Sequence, residues 1–146
     1  MTGYRIVPNA RAWWPVTFPG VTEEGEVVTN KIELRFQLHT EDEHVALLTE
    51  AAALPEKARQ AADAAKAETD EKRKELERTM LSGFYADFVQ RLAVDWRGVA
   101  AENGDTLKWE PENIRLLMNQ PGGIFQACVR AYVACRAGEK DVRSGN

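Results

Sequence analysis

The chain has 146 residues, of which 44% are hydrophobic, and its 23 acidic and 19 basic side chains leave a formal net charge of −4. That is enough apolar material for one domain with a real core, while interspersed charge with an acidic excess argues against a dedicated nucleic-acid surface, which needs a basic patch to displace counterions from phosphate. No apolar run approaches the length that crosses a bilayer and no apolar segment follows basic residues at the start, so a soluble, cytoplasmic protein without membrane contact is expected.

Residues 1–10 mix polar and apolar side chains around Pro8-Asn9 and read as an irregular lead-in. Residues 11–18 are rich in Trp, Val, Thr and Phe, which favours a strand; Pro15 cannot donate to a ladder, so that strand belongs at an edge or carries a bulge. Pro19-Gly20 is expected to end it, and Glu23-Glu24-Gly25-Glu26 to turn the chain. Residues 27–38 then alternate, with Ile32, Leu34, Phe36 and Leu38 on one face. The two segments predict a β-hairpin with one apolar and one charged face, and an isolated hairpin is marginal in water unless a helix or another copy covers it.

Thr40 with Glu43 three residues later forms a capping box ahead of Val45, Leu47 and Leu48, which predicts a helix to about Ala53. Leu54-Pro55 reads as a break, because a residue before proline avoids the helical region while Pro55 itself suits a first turn. From Glu56 to Arg78 the chain is alanine and mixed charge with almost no large apolar residue except Leu76, so propensity favours a helix and burial does not. A solvated helical arm is expected there, supported by Glu68–Lys72 and Asp70–Lys74 pairs at about 0.2–0.5 kcal/mol each. Met80, Leu81, Phe84, Tyr85, Phe88, Val89, Leu92 and Ala93 then form a strong helical stripe, with Phe84 and Phe88 buried, a kink available at Ser82-Gly83, and Gly98 as the terminator.

Beyond it, Glu102-Asn103-Gly104-Asp105 between Val99 and Leu107-Lys108-Trp109 predicts a short β-reversal. Pro111, between Glu110 and Glu112, opens a helix whose apolar residues Ile114, Leu117 and Met118 stop at Pro121-Gly122-Gly123. The last helix starts near Gly123 or Ile124, buries Ile124, Phe125, Ala127, Cys128, Ala131, Tyr132 and Cys135, and closes at Ala137-Gly138, so that the two pack as a hairpin. The predicted fold class is therefore α+β, mainly α: an N-terminal two-stranded β-hairpin and first helix (residues 1–54), a charged helical arm (55–79) and a C-terminal helical region (80–146), together one domain.

Few residues point to chemistry. His39 and His44 with Cys128 and Cys135 could be assembled into a zinc set, but the close-spaced cysteine pair usual in such sites is missing. The plainer reading is a polar strand-to-helix turn and two buried thiols, whose α-carbons lie about 10 Å apart along a helix, too far for a disulfide. His44 could serve as a base, yet there is no glycine-framed serine, phosphate-binding loop or nucleophilic cysteine signature, and the chain is read as no enzyme, with no metal or cofactor. Gly122-Gly123 could present backbone donors to an anion, although a helix-to-helix turn explains the same residues. The tryptophans are more informative. Trp13 and Trp14 are adjacent on a strand and must face opposite sides, so one of them meets something else. Trp96 and Trp109 flank the reversal and can stack as a local anchor.

The series Trp96-x-Gly98-Val99, Glu102-x-Gly104-x-x-Leu107-x-Trp109 and Glu112-Asn113-Ile114 with Leu116-Leu117 resembles the C-terminal half of tail assembly chaperones of long-tailed bacteriophages. The opening Pro8-Asn9-Ala10-Arg11-Ala12-Trp13-Trp14-Pro15-Val16 is also similar to members of that group, although the long alanine-rich arm departs from it. The resemblance implies a non-catalytic chaperone that binds the tape measure protein and tail tube subunits in the host cytoplasm during assembly, is absent from the mature virion, and forms homo-oligomers. The alternative is a structural protein retained in the tail or head-tail connector. On either reading the candidate partner-binding residues are Trp13, Trp14, Trp96, Trp109, Leu117, Phe125 and Tyr132.

Overall fold

In the computed structural model, which describes residues 3–139, the fold opens with two antiparallel strands, β1 (Arg11–Val21) and β2 (Val27–Gln37). Their register sets Trp14 opposite Leu34 and Val16 opposite Ile32, so Trp14, Val16, Phe18, Ile32, Leu34 and Phe36 are all buried on one face. β1 does not stop at Pro19-Gly20 as expected. Pro19 pairs with Thr29 on the sheet edge, where no partner needs its missing N–H, and Gly20 lies so close to Asn30 that an added Cβ would sit 2.4 Å from Nδ2. The reversal itself is made by Thr22, whose backbone N–H donates to the Glu26 carbonyl at 2.9 Å, with Gly25 at φ 88°.

A third strand, β3 (Ala93–Arg97), pairs antiparallel with β2 and gives a sheet of order β1-β2-β3. The expected N-terminal β-hairpin is present and gains this third strand, which corrects the expectation of a helix running on to Gly98. Central strand β2 has a second edge to fill, and Trp96 takes the place beside Leu34. Arg97 then donates to Glu33 at 2.9 Å across the outer face. β1 is the edge strand that Pro15 requires.

Helix α1 (Glu41–Ala64) starts at the Thr40–Glu43 capping box and passes straight through Pro55. The expected break is overridden by packing: Leu47, Leu54, Ala58 and Ala62 are buried in one row on either side of the proline. Burying Leu47 and Leu54 alone is worth about 1.5–3 kcal/mol each, against about 3 kcal/mol for a proline in a helix interior. The charged arm is likewise not one helix. It reverses after Ala64 with Lys66 at φ 52°, and Thr69 caps α2 (Asp70–Leu92) by accepting from the Lys72 N–H at 3.1 Å. The arm is thus the closed end of an antiparallel α1–α2 hairpin. Ala58 and Ala62 are fully buried in it, and Asp63 bridges to Arg73 at 3.2 Å. Of the two pairs expected along the arm, Glu68–Lys72 forms at 3.3 Å and Asp70–Lys74 is not among the ion pairs of the described residues.

Helix α2 runs through Ser82-Gly83 without a break, and Phe88 is buried while Phe84 is half-buried. At Gly83 an added Cβ would lie 2.8 Å from Nη2 of Arg115, so the glycine admits the guanidinium of the next helix. That helix, α3 (Pro111–Met118), follows a reversal closed by Leu107 N–H to Val99 O at 3.0 Å. It packs chiefly on α2, burying Ile114 and Met118. Helix α4 (Ile124–Ala137) lies on the inner face of the sheet against β1, bounded by Gly123 and Gly138 in left-handed conformation. α3 and α4 follow one another across a tight turn as expected, with their principal partners being α2 and the sheet. Among the described residues no helix is long and apolar enough to cross a membrane.

Candidate protein-binding surfaces

The first candidate surface is the valley between α1 and α4. Facing α2 with Leu47 and Leu54 leaves Leu48, Ala51, Ala52 and Pro55 on the next side of α1. Val129 and Arg130 of α4 form the opposite wall. The floor is aromatic: Tyr85 of α2 stacks on Phe125 with ring centroids 3.8 Å apart and planes 7° from parallel, and Phe88 meets Phe125 edge-on at 5.8 Å. The result is an open groove of about 470 Å³ with small side chains on one wall and an aliphatic residue on the other. Alanines let a partner backbone come close, and a fixed aromatic floor supplies apolar contact without ordering cost.

The second lies at the turn end of the β-hairpin, where Phe18, Val21, Val27 and Val28 face Leu117, Pro121 and Ile124 across about 790 Å³. Its shape depends on Gly122, at φ 115°, where an added Cβ would meet the Pro19 carbonyl oxygen at 2.9 Å. Val27 is 79% and Val21 71% exposed, an unusual state for two valines beside one apolar groove.

The residues read from sequence as partner-binding divide sharply. Trp14, Trp96, Phe125 and Tyr132 are buried in the core and have no free face to offer a partner directly. Their apolar area is spent on the chain's own packing, although Phe125 floors the α1–α4 valley. Trp13 does face the other way from Trp14, and is half-buried under the Arg97 guanidinium, 4.1 Å from its ring centroid. Trp14 Nε1 is buried without a hydrogen-bond partner among the described residues. Trp96 and Trp109 pack at right angles with centroids 5.3 Å apart, and Trp96 Nε1 donates to the Leu107 carbonyl at 2.7 Å, which makes them the local anchor expected. Leu117 alone of the seven lines an open groove with its own side chain exposed in part. Sequence reading passed over Leu48, Ala52 and Val129. The available signal was a second apolar row on α1, Val45-Leu48-Ala52, offset from the buried one.

The histidines form a structural cluster with Tyr132. His39 Nδ1 lies 2.8 Å from the Tyr132 hydroxyl, and the His44 ring packs 5.5 Å from the Tyr132 ring. Arg136 donates to the His39 carbonyl and to Glu41, closing the end of α4 onto the start of α1. Burial lowers the pKa of His39, with Glu43 and a hydrogen bond to the Arg91 backbone opposing it and the charges of Arg136 and Arg91 adding to it; burial also lowers that of His44, with Arg136 adding and Glu41 opposing. Among the described residues no group of three or more His, Cys, Asp or Glu side chains is placed to hold a metal ion. Cys128 and Cys135 are free and buried, their thiols pushed up to about 12 and about 11 by burial, which makes them poor nucleophiles.

Comparison of the chain with protein-family models, with curated proteins and with solved structures gives no match in any of the three.

Proposed function

We propose that the chain is a non-catalytic tail assembly chaperone of a long-tailed phage or prophage, and that the α1–α4 valley holds amphipathic helical segments of the tape measure protein. The carrying observation is the groove itself: small residues Ala51 and Ala52, flanking Leu48 and Val129, and the Tyr85–Phe125 floor are what a partner helix needs for close approach. The resemblance of residues 96–117 and 8–16 to this group supports the same reading. The exposed, charged flank of the α1–α2 hairpin keeps such a complex in solution. Tail tube subunits are the second partner, and the chaperone acts in the host cytoplasm and leaves before the virion is complete. Each site binds weakly, and repetition along a long partner supplies the retention.

Co-expression with the tape measure protein of the same phage, followed by sizing, tests this. The pair should co-elute, and Ala52→Arg should weaken binding at least tenfold, because a long cation fills the valley from an exposed helical position where it costs little stability. Undiminished binding by Ala52→Arg overturns the assignment of the valley. Recovery of the chain from mature particles overturns the chaperone reading in favour of a protein retained in the tail or connector.

A further inference from the structure

The sheet has a second face, opposite the one that α4 covers. On β1 the side chains of Trp14, Val16 and Phe18 turn inward, so Arg11 and Trp13 turn outward; on β2 the same alternation sends Lys31, Glu33 and Arg35 outward. The pairing of β2 with β3 sets Asp95 beside Arg35 and Arg97 beside Glu33. In a chain whose acidic side chains outnumber its basic ones 23 to 19, this face reverses the balance: Arg11, Lys31, Arg35 and Arg97 stand against Glu33 and Asp95.

Both acids are already engaged. Glu33 accepts from Arg97 at 2.9 Å, and Asp95 Oδ1 accepts from the Trp96 backbone N–H at 2.8 Å, although Arg35 is the cross-strand neighbour of Asp95. Arg11, Lys31 and Arg35 are exposed and make no ion pair among the described residues. An antiparallel sheet can face water on one side, but like charges gathered there repel one another, and an anion from outside relieves them. Their spacing indicates its form. Successive outward positions along β2 are about 6.6–6.8 Å apart, at about 3.3–3.4 Å per residue. Arg11 (opposite Gln37), Arg35 and Lys31 therefore occupy the first, second and fourth of four rows, with the Arg97–Glu33 pair in the third. An extended polypeptide repeats its same-side side chains at that interval, so alternate carboxylates can meet the three cations in turn. A nucleic-acid single strand fits less well. It needs an aromatic face for stacking, and Trp13, the aromatic side chain of this surface, is half-buried with the Arg97 guanidinium 4.1 Å from its ring centroid.

We infer that the outer face of the sheet binds an extended acidic segment of another protein, whose alternating carboxylates pair with Arg11, Arg35 and Lys31. The affinity is modest and salt-dependent, because exposed pairs contribute little one at a time and are screened. The α1–α4 valley lies on the other side of the sheet, so this binding and the proposed function fail separately.

A dansyl-labelled peptide of alternating glutamate and threonine, titrated with the full chain and read by fluorescence anisotropy, tests it at about 0.1 M salt, where charges beyond about 10 Å are largely screened. Wild type should bind this peptide and not its glutamine–threonine counterpart. Arg35→Glu and Lys31→Glu should each weaken binding at least about fivefold, since each sets a like charge on the track. Both positions are exposed, so folding is retained. Lys74→Glu, the same change of charge at an exposed position of α2, should leave binding within about twofold. No binding by wild type, undiminished binding by both sheet variants, or an equal loss by Lys74→Glu overturns the inference. A short oligothymidine that binds wild type more tightly than the peptide, and is lost with Arg35→Glu, overturns it in favour of a nucleic-acid strand.

Discussion

Tyr132 holds three parts of the chain together with one hydroxyl and one ring. Its ring lies 5.7 Å from that of Phe36 in β2 and 5.5 Å from that of His44 in α1, and its hydroxyl meets His39 in the link between them. The helical spacing of α4 made its burial legible, but its histidine partner is 93 residues away and no local pattern announces it. The same holds for Gly122, readable as a turn glycine, whose contact with Pro19 depends on where another element lies. The histidines give this cluster a pH signature. Both have folded pKa values below their ordinary 6.5, so between those values and 6.5 the unfolded chain binds more protons, and stability rises with pH across that window. The contribution is whole above about pH 6.5 and is lost as the pH falls through the folded values. The urea midpoint should therefore drop from about pH 7.5 to about pH 5.5, a range above ordinary carboxylate titration. His39→Gln should start lower, having weakened the Tyr132 contact, and show a shallower fall. An unchanged slope would place the titration elsewhere.

Among the elements, those with a sharp local period were readable: the alternation at Ile32, Leu34 and Phe36, the capping box at Thr40, and α3 and α4 between Pro111 and Gly138. Those decided by a neighbour were not. Ala93-Val94-Asp95-Trp96-Arg97 continues the helical stripe of α2 closely enough to look like its last turn, and becomes a strand because β2 has an open edge. The arm looked solvated because alanine carries little apolar area, yet Ala58 and Ala62 are buried because small side chains let two helices approach closely. Pro55 tests this account directly. In an uninterrupted helix it withholds one hydrogen bond from Ala51 and crowds that turn, so Pro55→Ala should stabilise the chain. The gain should be about 2 kcal/mol, after subtracting roughly 0.4–1 kcal/mol for the freer unfolded chain. Pro55 is exposed, so no packing is lost with it. A helix that restarted at Pro55 would gain nothing from the same change, and a chemical-denaturation midpoint separates the two outcomes.

For the whole molecule, the need for something to cover the apolar face of the hairpin followed from its alternation, whereas its cover by α4 and the grooves did not. A groove belongs to the relation between elements: α1 against α4 over an aromatic floor, and a hairpin tip against the α3–α4 turn. The two share no lining residue, so substitutions in one should act independently of the other on a single bound helix. If the valley holds a partner helix as proposed, Ala52→Arg should lose such a helix at least tenfold, while Val27→Asp, exposed in the other groove, should leave its affinity within about twofold. Titrating both variants with one amphipathic helical peptide measures this, and equal loss by the two would mean that a single helix spans both grooves.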